Sequence, residues 1–258
     1  DNIQLAGAQR YHIDANWKMI YDNAGDGYHV PFSHQSLLQM TKARYDGGDM
    51  TYFADADRSK MHLYSLGNGH TVIDQRPDMY DNSAWEQQRP QPGRECFEAH
   101  VKETLDPQQA KSVMESAVGA GMNLNIFPNL LFIGNQVQVI QPLRADATAM
   151  HWHATRRRDA DEALNTIRMR TQEDFPIMGE MDDAANFEEC HRGLVNSPED
   201  EWVDISRHHE TGKDVVDEQG IVKSPVTSEI HMRAYYAEWK KLMVAEPLLT
   251  VNKSEAKP

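Results

Sequence analysis

The first clear pattern of hydrophobic positions lies near the start of the chain. Between residues 14 and 41 the apolar positions recur at helical intervals, and Gly25, Gly27 and Pro31 interrupt them. The members of this apolar set are Trp17, Ile20, Tyr21, Tyr28, Phe32 and Leu37. The pattern predicts one helix or a pair of helices.

Alternation of apolar and polar residues predicts strands in two regions. Residues 50–75 alternate around the turn sequence GNG, and residues 123–157 contain three alternating runs separated by GNQ and RADA. The second region is typical of an antiparallel meander with one buried face. The three arginines at 156–158 follow the last run, where they indicate a solvated strand end.

Helical patterns return on both sides of the meander. Asp106 and Pro107 suit an N-cap and a first helical position, and Gly119 and Gly121 suit the end of that helix. A charged helix is predicted at about 159–173, and a second helical segment covers 172–194.

The remaining segments complete the chain. Residues 78–98 predict a surface loop near a pocket mouth, and residues 196–225 predict a polar loop. Residues 227–243 form an amphipathic closing helix, with Thr227 as its cap and Glu229 in its first turn.

Strands that follow one another between helices at both ends predict an α+β fold built on an antiparallel sheet. We expect a long helix across the concave face of the sheet, which would enclose a ligand cavity. The whole chain, residues 1–258, is predicted to be a single domain.

Composition narrows the classes of function. The formal net charge of -14 disfavours binding to nucleic acid or to an anionic membrane surface. No apolar run approaches the roughly 18 residues of a membrane span, and the first residues lack a signal-peptide pattern, so we expect a cytoplasmic protein. The two cysteines, Cys96 and Cys190, form no CxxC or CxH pair, which excludes a thiolate-ligated cluster within these 258 residues.

Asp26, His29 and His34 carry the clearest candidate chemistry. On a helix, Asp26 and His29 would be i, i+3 neighbours, so the carboxylate could orient the imidazole. Five helical residues would rotate His34 about 140° away from His29, and a break at Pro31 could bring both rings back to one point. A solvated or core-satisfied histidine pair is the ordinary alternative.

Two histidines make an incomplete metal site, and the usual third ligand of an iron(II) with open positions is one carboxylate. Asp182 and Asp183 lie in a helical segment far along the chain, in the sequence EMDDAANFEECHRGL. An exposed helix start is the ordinary reading of two adjacent aspartates. We select Asp183 as the ligand, although the pattern alone leaves the choice between the two open.

Both motifs together resemble the catalytic domain of the alpha (large) subunit of Rieske non-haem iron aromatic ring-hydroxylating oxygenases. The matching residues of the first motif are Asn16, Trp17, Lys18, Asn23, Asp26, Tyr28, His29 and His34, and those of the second are Asp183, Asn186, Glu188, Arg192 and Gly193. The closing sequence RAYYAEWKKLM is similar as well. His191 departs from the glutamine that many relatives carry.

The resemblance implies a helix-grip fold with a mononuclear iron(II) held by His29, His34 and Asp183. Asp26 would be the bridge through which an electron arrives from a Rieske cluster, and Asn23 would lie near the iron at the pocket floor. The implied activity is O2-dependent dihydroxylation of an aromatic ring, with monooxygenation or demethylation by the same family as the alternative.

The family's Rieske [2Fe-2S] cluster needs CxH and CxxH ligand pairs, and this sequence contains neither. We expect the cluster on an N-terminal domain that these 258 residues do not include. The implied partners are a reductase fed by NADH, with or without a ferredoxin, and further subunits in a homotrimer or an α3β3 assembly. A non-catalytic helix-grip carrier of an apolar ligand, or a structural oxygenase subunit, is the competing hypothesis.

Overall fold

A computed structural model describes residues 2–45, 55, 57–79, 85, 94–117, 121–158, 160, 162–197, 199 and 202–245. Its strands form one open antiparallel sheet in the order β1-β7-β6-β5-β4-β3-β2-β9-β8. In chain order they are β1 (Ile3–Ile13), β2 (His62–Gly67), β3 (His70–Asp74), β4 (Met122–Ile126), β5 (Leu130–Ile133), β6 (Gln136–Arg144), β7 (Ala147–Arg157), β8 (Val215–Val216) and β9 (Val222–Pro225).

Helices precede, interrupt and follow these strands. They are α1 (Trp17–Ala24), α2 (Val30–Ser33), α3 (Gln35–Tyr45), α4 (Arg76–Met79), α5 (Arg94–Thr104), α6 (Pro107–Ala117), α7 (Glu162–Met178), α8 (Glu180–Asn196) and α9 (Ile230–Val244). The predicted α+β class is confirmed. Within the described parts of the chain, no helix is both long enough and apolar enough to cross a bilayer.

The meander predicted at 123–157 is present, but it contains four strands and not three. Its first run divides into β4 and β5, because the chain turns at Phe127 to Asn129, where Phe127–Pro128 is a cis peptide bond. The GNG turn is confirmed: Gly67, Asn68 and Gly69 all have positive φ, which glycine tolerates well. The flanking strands begin only at His62, while residues 46–54 and 56 lie outside the described residues.

The loop predicted at 78–98 is wrong where the structure describes it. Asp78 belongs to α4, and Arg94 begins α5. Phe97 and Val101 lie one helical turn apart on α5 and pack with the buried Trp85 in a small second core. That burial favours a helix over an exposed loop. Residues 80–84 and 86–93 lie outside the described part of the chain.

Two smaller corrections concern the C-terminal third. The polar segment 196–225 contains the short strands β8 and β9, which extend the sheet beyond β2. Thr227 does not cap the closing helix, because its hydroxyl is hydrogen-bonded to His208 and the N-cap position is Glu229. Ser228 Oγ accepts the hydrogen bond from the Ile230 amide instead. At α6 the predicted cap is confirmed, since Asp106 accepts from two amides of the first turn.

The N-terminal helix α1 is tied to the sheet at both ends. Asn16 caps it by accepting from the Lys18 amide, and the same side chain donates to Ala145 O in the β6–β7 turn. At the other end, Asn125 of β4 donates to Ala24 O. Because α1 leads directly to Asp26, these bonds fix the start of the candidate site.

The closing helix α9 packs against β2 and β3, and it also contacts α1. His231 of α9 is fully buried, donates from Nε2 to Tyr21 O at 2.6 Å, and is hydrogen-bonded through Nδ1 to Thr71 at 2.6 Å. Burial lowers the pKa of this imidazole to about 4, so it is neutral at pH 7. A Cβ atom on Gly25 would lie 2.0 Å from the His231 ring, so only glycine fits there.

Replacing Gly25 by alanine should therefore lower the free energy of unfolding by about 1 to 3 kcal/mol, the usual cost of overpacking. Chemical denaturation measures the change. Gly193→Ala is the matched control, because nothing lies within 4 Å of its added Cβ and the residue is inside α8. The control should gain about 0.5 to 1 kcal/mol, since alanine favours the helix. Equal stability of the two variants would contradict the packing argument.

Candidate metal centre

The segment between α1 and α2 presents the first three candidate residues, although not on a regular helix as the spacing suggested. After α1 ends, Asp26 accepts a hydrogen bond from the Tyr28 amide at 2.7 Å, which forms a tight turn. His29 then occupies the N-cap position of the single-turn helix α2, and His34 follows its last residue. Pro31 lies in the first turn of α2 and fixes that short helix between the two histidines.

Helix α8 supplies the third candidate. It packs against α1, α2 and β1, and its first turn contains Glu180, Asp182 and Asp183. Acidic side chains are favoured there by the amide dipoles of a helix N-terminus. Asp183 faces inward and is 3% exposed, while Asp182 is half-buried. The exposed helix start that two adjacent aspartates ordinarily indicate therefore does not describe Asp183.

The three candidates meet around one point. Asp183 Oδ1 lies 3.4 Å from His34 Nε2 and 3.7 Å from His29 Nε2. One ligand atom from each residue lies within 4.8 Å of the other two. Metal bonds of about 2.1 Å separate the ligands of one ion by about 3.0 to 3.5 Å. The Asp183 contacts are close to that spacing.

The electrostatics of the cluster suit a cation. Burial, with a smaller effect from His34, lowers the pKa of His29 to about 4, and burial also lowers the pKa of His34, so both rings are neutral at pH 7 and can offer a lone pair. Burial raises the pKa of Asp183 to about 7, although a hydrogen bond from the Asn23 side chain opposes the rise. Asp183 Oδ1 is buried and has no hydrogen-bond partner. A metal ion would satisfy this oxygen.

A carboxylate lies near the Nδ1 atom of each imidazole. Asp26 Oδ2 lies 3.9 Å from His29 Nδ1, and Asp182 Oδ2 lies 3.6 Å from His34 Nδ1. Both distances exceed hydrogen-bond length, so the contacts are electrostatic. Each favours the tautomer that protonates Nδ1 and leaves Nε2 free toward Asp183. The motif left the choice between the two aspartates open, and the structure places Asp183 with the histidine Nε2 atoms and Asp182 behind His34.

A cavity of about 300 Å³ opens from this cluster toward the inner face of the sheet. Its apolar lining includes Ile20, Leu131, Ile133, Met150 and Phe187, and Asn23 lies at the metal end. The volume is at the lower end for small-molecule sites, which suits a compact ligand. Phe187 belongs to both the cavity wall and the main core.

Sequence reasoning missed a buried acid in the cavity wall. Glu180 accepts a short hydrogen bond from the Tyr11 hydroxyl, and the Tyr11 ring packs against the buried Trp152. Burial raises the pKa of Glu180 to about 8, so the group is neutral at pH 7. The signal was hidden because Tyr11 lies on β1, whose residues are mostly exposed and show no alternation.

The glutamines of β6 were missed for a different reason. Gln136 and Gln138 face the cavity, whereas Val137 and Val139 face outward and are half-buried. Hydrophobicity alone predicts that Val137 and Val139, and not the glutamines, face the interior of the protein. The clue in the sequence is the repeated Gln-Val alternation itself, which is unusual for a strand in the middle of a sheet.

Comparison with known proteins matches the chain to one protein-family model. Residues 1–245 match the family model described as the catalytic domain of the ring hydroxylating alpha subunit. The 2-halobenzoate 1,2-dioxygenase large subunit of Burkholderia cepacia is 29% identical over 213 residues, a match that covers 79% of this chain and 43% of that protein. The anthranilate 1,2-dioxygenase large subunit of Acinetobacter baylyi (strain ATCC 33305 / BD413 / ADP1) is 26% identical over 220 residues, covering 79% and 44%.

A solved structure shares the fold. Naphthalene 1,2-dioxygenase with indole in its active site superimposes with a TM-score of 0.63 at 19% identity, and the match covers 92% of this chain and 54% of that one. At that identity the likeness concerns the fold alone. This chain spans less than half the length of the two large subunits it matches.

The buried Glu180 makes stability depend on pH. Its pKa is about 8 in the folded protein against an ordinary value of 4.5, so stability falls as pH rises from the unfolded pKa through the folded one. Glu180→Gln should shrink the loss of melting temperature between about pH 5.5 and about pH 8.5. Glu189→Gln, on the exposed side of the same helix, should leave that loss unchanged. An unchanged loss in Glu180→Gln would contradict the buried neutral acid.

Proposed function

Because the chain belongs to the ring-hydroxylating alpha subunit family, as its catalytic domain, we propose that it catalyses the O2-dependent dihydroxylation of an aromatic ring at a mononuclear iron(II). The observation that carries the proposal is the meeting of two imidazole nitrogens and one buried carboxylate oxygen at the mouth of an apolar cavity. A non-catalytic carrier of an apolar ligand has no use for that convergence.

His29, His34 and Asp183 would hold the iron, and Asn23 would orient the carboxylate through its hydrogen bond. Two neutral histidines and one carboxylate form the facial donor set that leaves positions open for other ligands. Bound there, iron(II) supplies the activation of O2. Asp26 and Asp182 keep the Nδ1 atoms of the two rings protonated and the Nε2 atoms available.

The cavity wall would position the ring. Leu131, Ile133, Met150 and Phe187 offer apolar contacts that exclude water and hold a flat ligand beside the metal end. In the overall reaction an arene, O2, NADH and one proton give a cis-dihydrodiol and NAD+. Both oxygen atoms enter the product, and the two electrons that balance the reaction come from NADH.

The electrons would reach this chain from outside residues 1–258. We propose a reductase fed by NADH, with or without a ferredoxin, and a Rieske [2Fe-2S] cluster on a neighbouring subunit of a homotrimer or an α3β3 assembly. Asp26 would be the bridge, because its side chain is 18% exposed and lies next to His29 Nδ1, while His29 Nε2 faces Asp183. Dependence on NADH favours a cytoplasmic location.

Iron content tests the ligand assignment. Replacing His29, His34 or Asp183 by alanine should reduce tightly bound iron(II) by at least about tenfold after anaerobic reconstitution, because each change removes one of three protein ligands. Metal analysis of the desalted protein gives the result. His209→Ala, at an exposed histidine, should bind iron like the parent. Full iron retention in a variant with all three residues replaced by alanine would reject the site.

Asp26→Asn tests the bridge separately. Asparagine keeps the shape and can still accept from the Tyr28 amide, but it removes the charge next to His29. Most of the iron should stay bound, while product formation by the intact oxygenase with its reductase should fall by at least about tenfold. Asp204→Asn is a matched control, since Asp204 forms the same kind of turn with Ser206 at the surface. Normal turnover of Asp26→Asn would remove the bridging role.

A further inference from the structure

On the inner face of the sheet, amide side chains lie beside apolar residues of the cavity wall. Asn123 of β4 and Gln136 of β6 flank Ile133 of β5 in one cross-strand row, and Gln138 lies beside Leu131 in the next row. All three amide side chains line the cavity. Adjacent strands lie about 4.8 Å apart, so these amides cover an area comparable to one aromatic ring with its substituent.

Some of the amides around the cavity are fully used by the protein. Gln172 of α7 donates to Thr155 O and Arg168 O and accepts from the Thr155 amide. Gln136 donates to Gln172 O at 2.5 Å. These bonds join α7 to the sheet, so both side chains are held as scaffold.

Gln138 is different, because most of its hydrogen-bonding capacity is unused. Its side chain is 2% exposed, and its one bond among the described residues is a long one of 3.4 Å to Gln136 Oε1. The Asn123 side chain, which is half-buried in the same cavity, has no hydrogen bond to any described residue. An amide offers two donors and an acceptor, so at least one N–H and the carbonyl of Gln138 remain available.

Leaving buried amide groups unpaired is costly, and native proteins rarely do so without a function. Replacing Gln138 by an apolar residue would remove that cost, since its neighbours Leu131 and Met150 are apolar. The retained amide therefore points to a ligand group that bonds to it. The ligand must also present an apolar body to the apolar residues beside that amide.

We propose that Gln138, with Asn123, forms a subsite for a carbonyl oxygen on the substrate's ring, so that the substrate is an aromatic compound with a carboxylate or carboxamide substituent. This inference rests on the proposed function and specifies its substrate class. The amide N–H groups donate to the substituent oxygen. The ring lies against Leu131, Ile133 and Met150, and its free edge is directed to the metal end of the cavity.

Equilibrium binding to the iron-loaded protein under nitrogen tests the subsite with three ligands of similar size: benzoate, benzamide and toluene. The parent protein should bind benzoate or benzamide at least about fivefold more tightly than toluene, the gain expected from pairing a buried amide. The tighter of the two polar ligands identifies whether the substituent is charged. Gln138→Met, which keeps the side-chain volume, should abolish the preference while toluene binding stays equal or improves.

Asn123→Leu should weaken the same preference and provides a second test at a less buried position. Gln141→Met is the control, because Gln141 lies on the exposed face of the same strand, bonded to His151. A parent protein without the preference, or a folded Gln138→Met variant that keeps it, would overturn the subsite. If iron content and product formation are normal in that case, the proposed function stands. Failure of the parent protein to bind iron would reject the proposed function itself.

Discussion

The structure depends on one buried carboxylate oxygen that lies close to two imidazole nitrogens. Asp183 Oδ1 accepts no hydrogen bond, yet it lies 3.4 and 3.7 Å from the Nε2 atoms of His34 and His29. Such an arrangement costs free energy unless a cation occupies the space between the three atoms. The surrounding structure serves to maintain it. Helix α1 is tied to the sheet at both ends, His231 packs on Gly25, and α8 packs against α1 and α2.

Several polar side chains around this cavity lower the stability of the folded protein. Glu180 and Asp183 are buried acids whose pKa values burial raises to about 8 and about 7. The buried Gln138 and the half-buried Asn123 add amides with unused bonding capacity. Apolar residues of the same size would stabilise the fold more, so these groups are best explained by what binds between them. The amide and apolar side chains that line the cavity together favour a substituted ring over a plain hydrocarbon.

Sequence reasoning predicted the parts of the molecule in which local pattern and tertiary packing agree. The meander, the Asp106 cap and the closing helix follow from alternation, helical periodicity and capping chemistry. The convergence of His29, His34 and Asp183 was expected from two motifs about 150 residues apart, with the aid of a family resemblance.

Strand β1 was missed because it lies at the sheet edge with most residues exposed, which leaves no alternation to detect. The inward glutamines of β6 were missed because hydrophobicity assigns the inside to Val137 and Val139, and only a ligand cavity reverses that rule. The segment at Asp26 is a turn and not the expected helix, and its glycines Gly25 and Gly27 approach α9 and Val226 too closely for any larger residue.

X-ray absorption at the iron edge, on the reconstituted protein under nitrogen, tests the central claim most directly. The account predicts a first shell of nitrogen and oxygen at about 2.0 to 2.2 Å, with outer-shell scattering from two imidazole rings that falls to one ring in His29→Ala or His34→Ala. A shell without imidazole scattering, or one that neither substitution changes, would contradict the account.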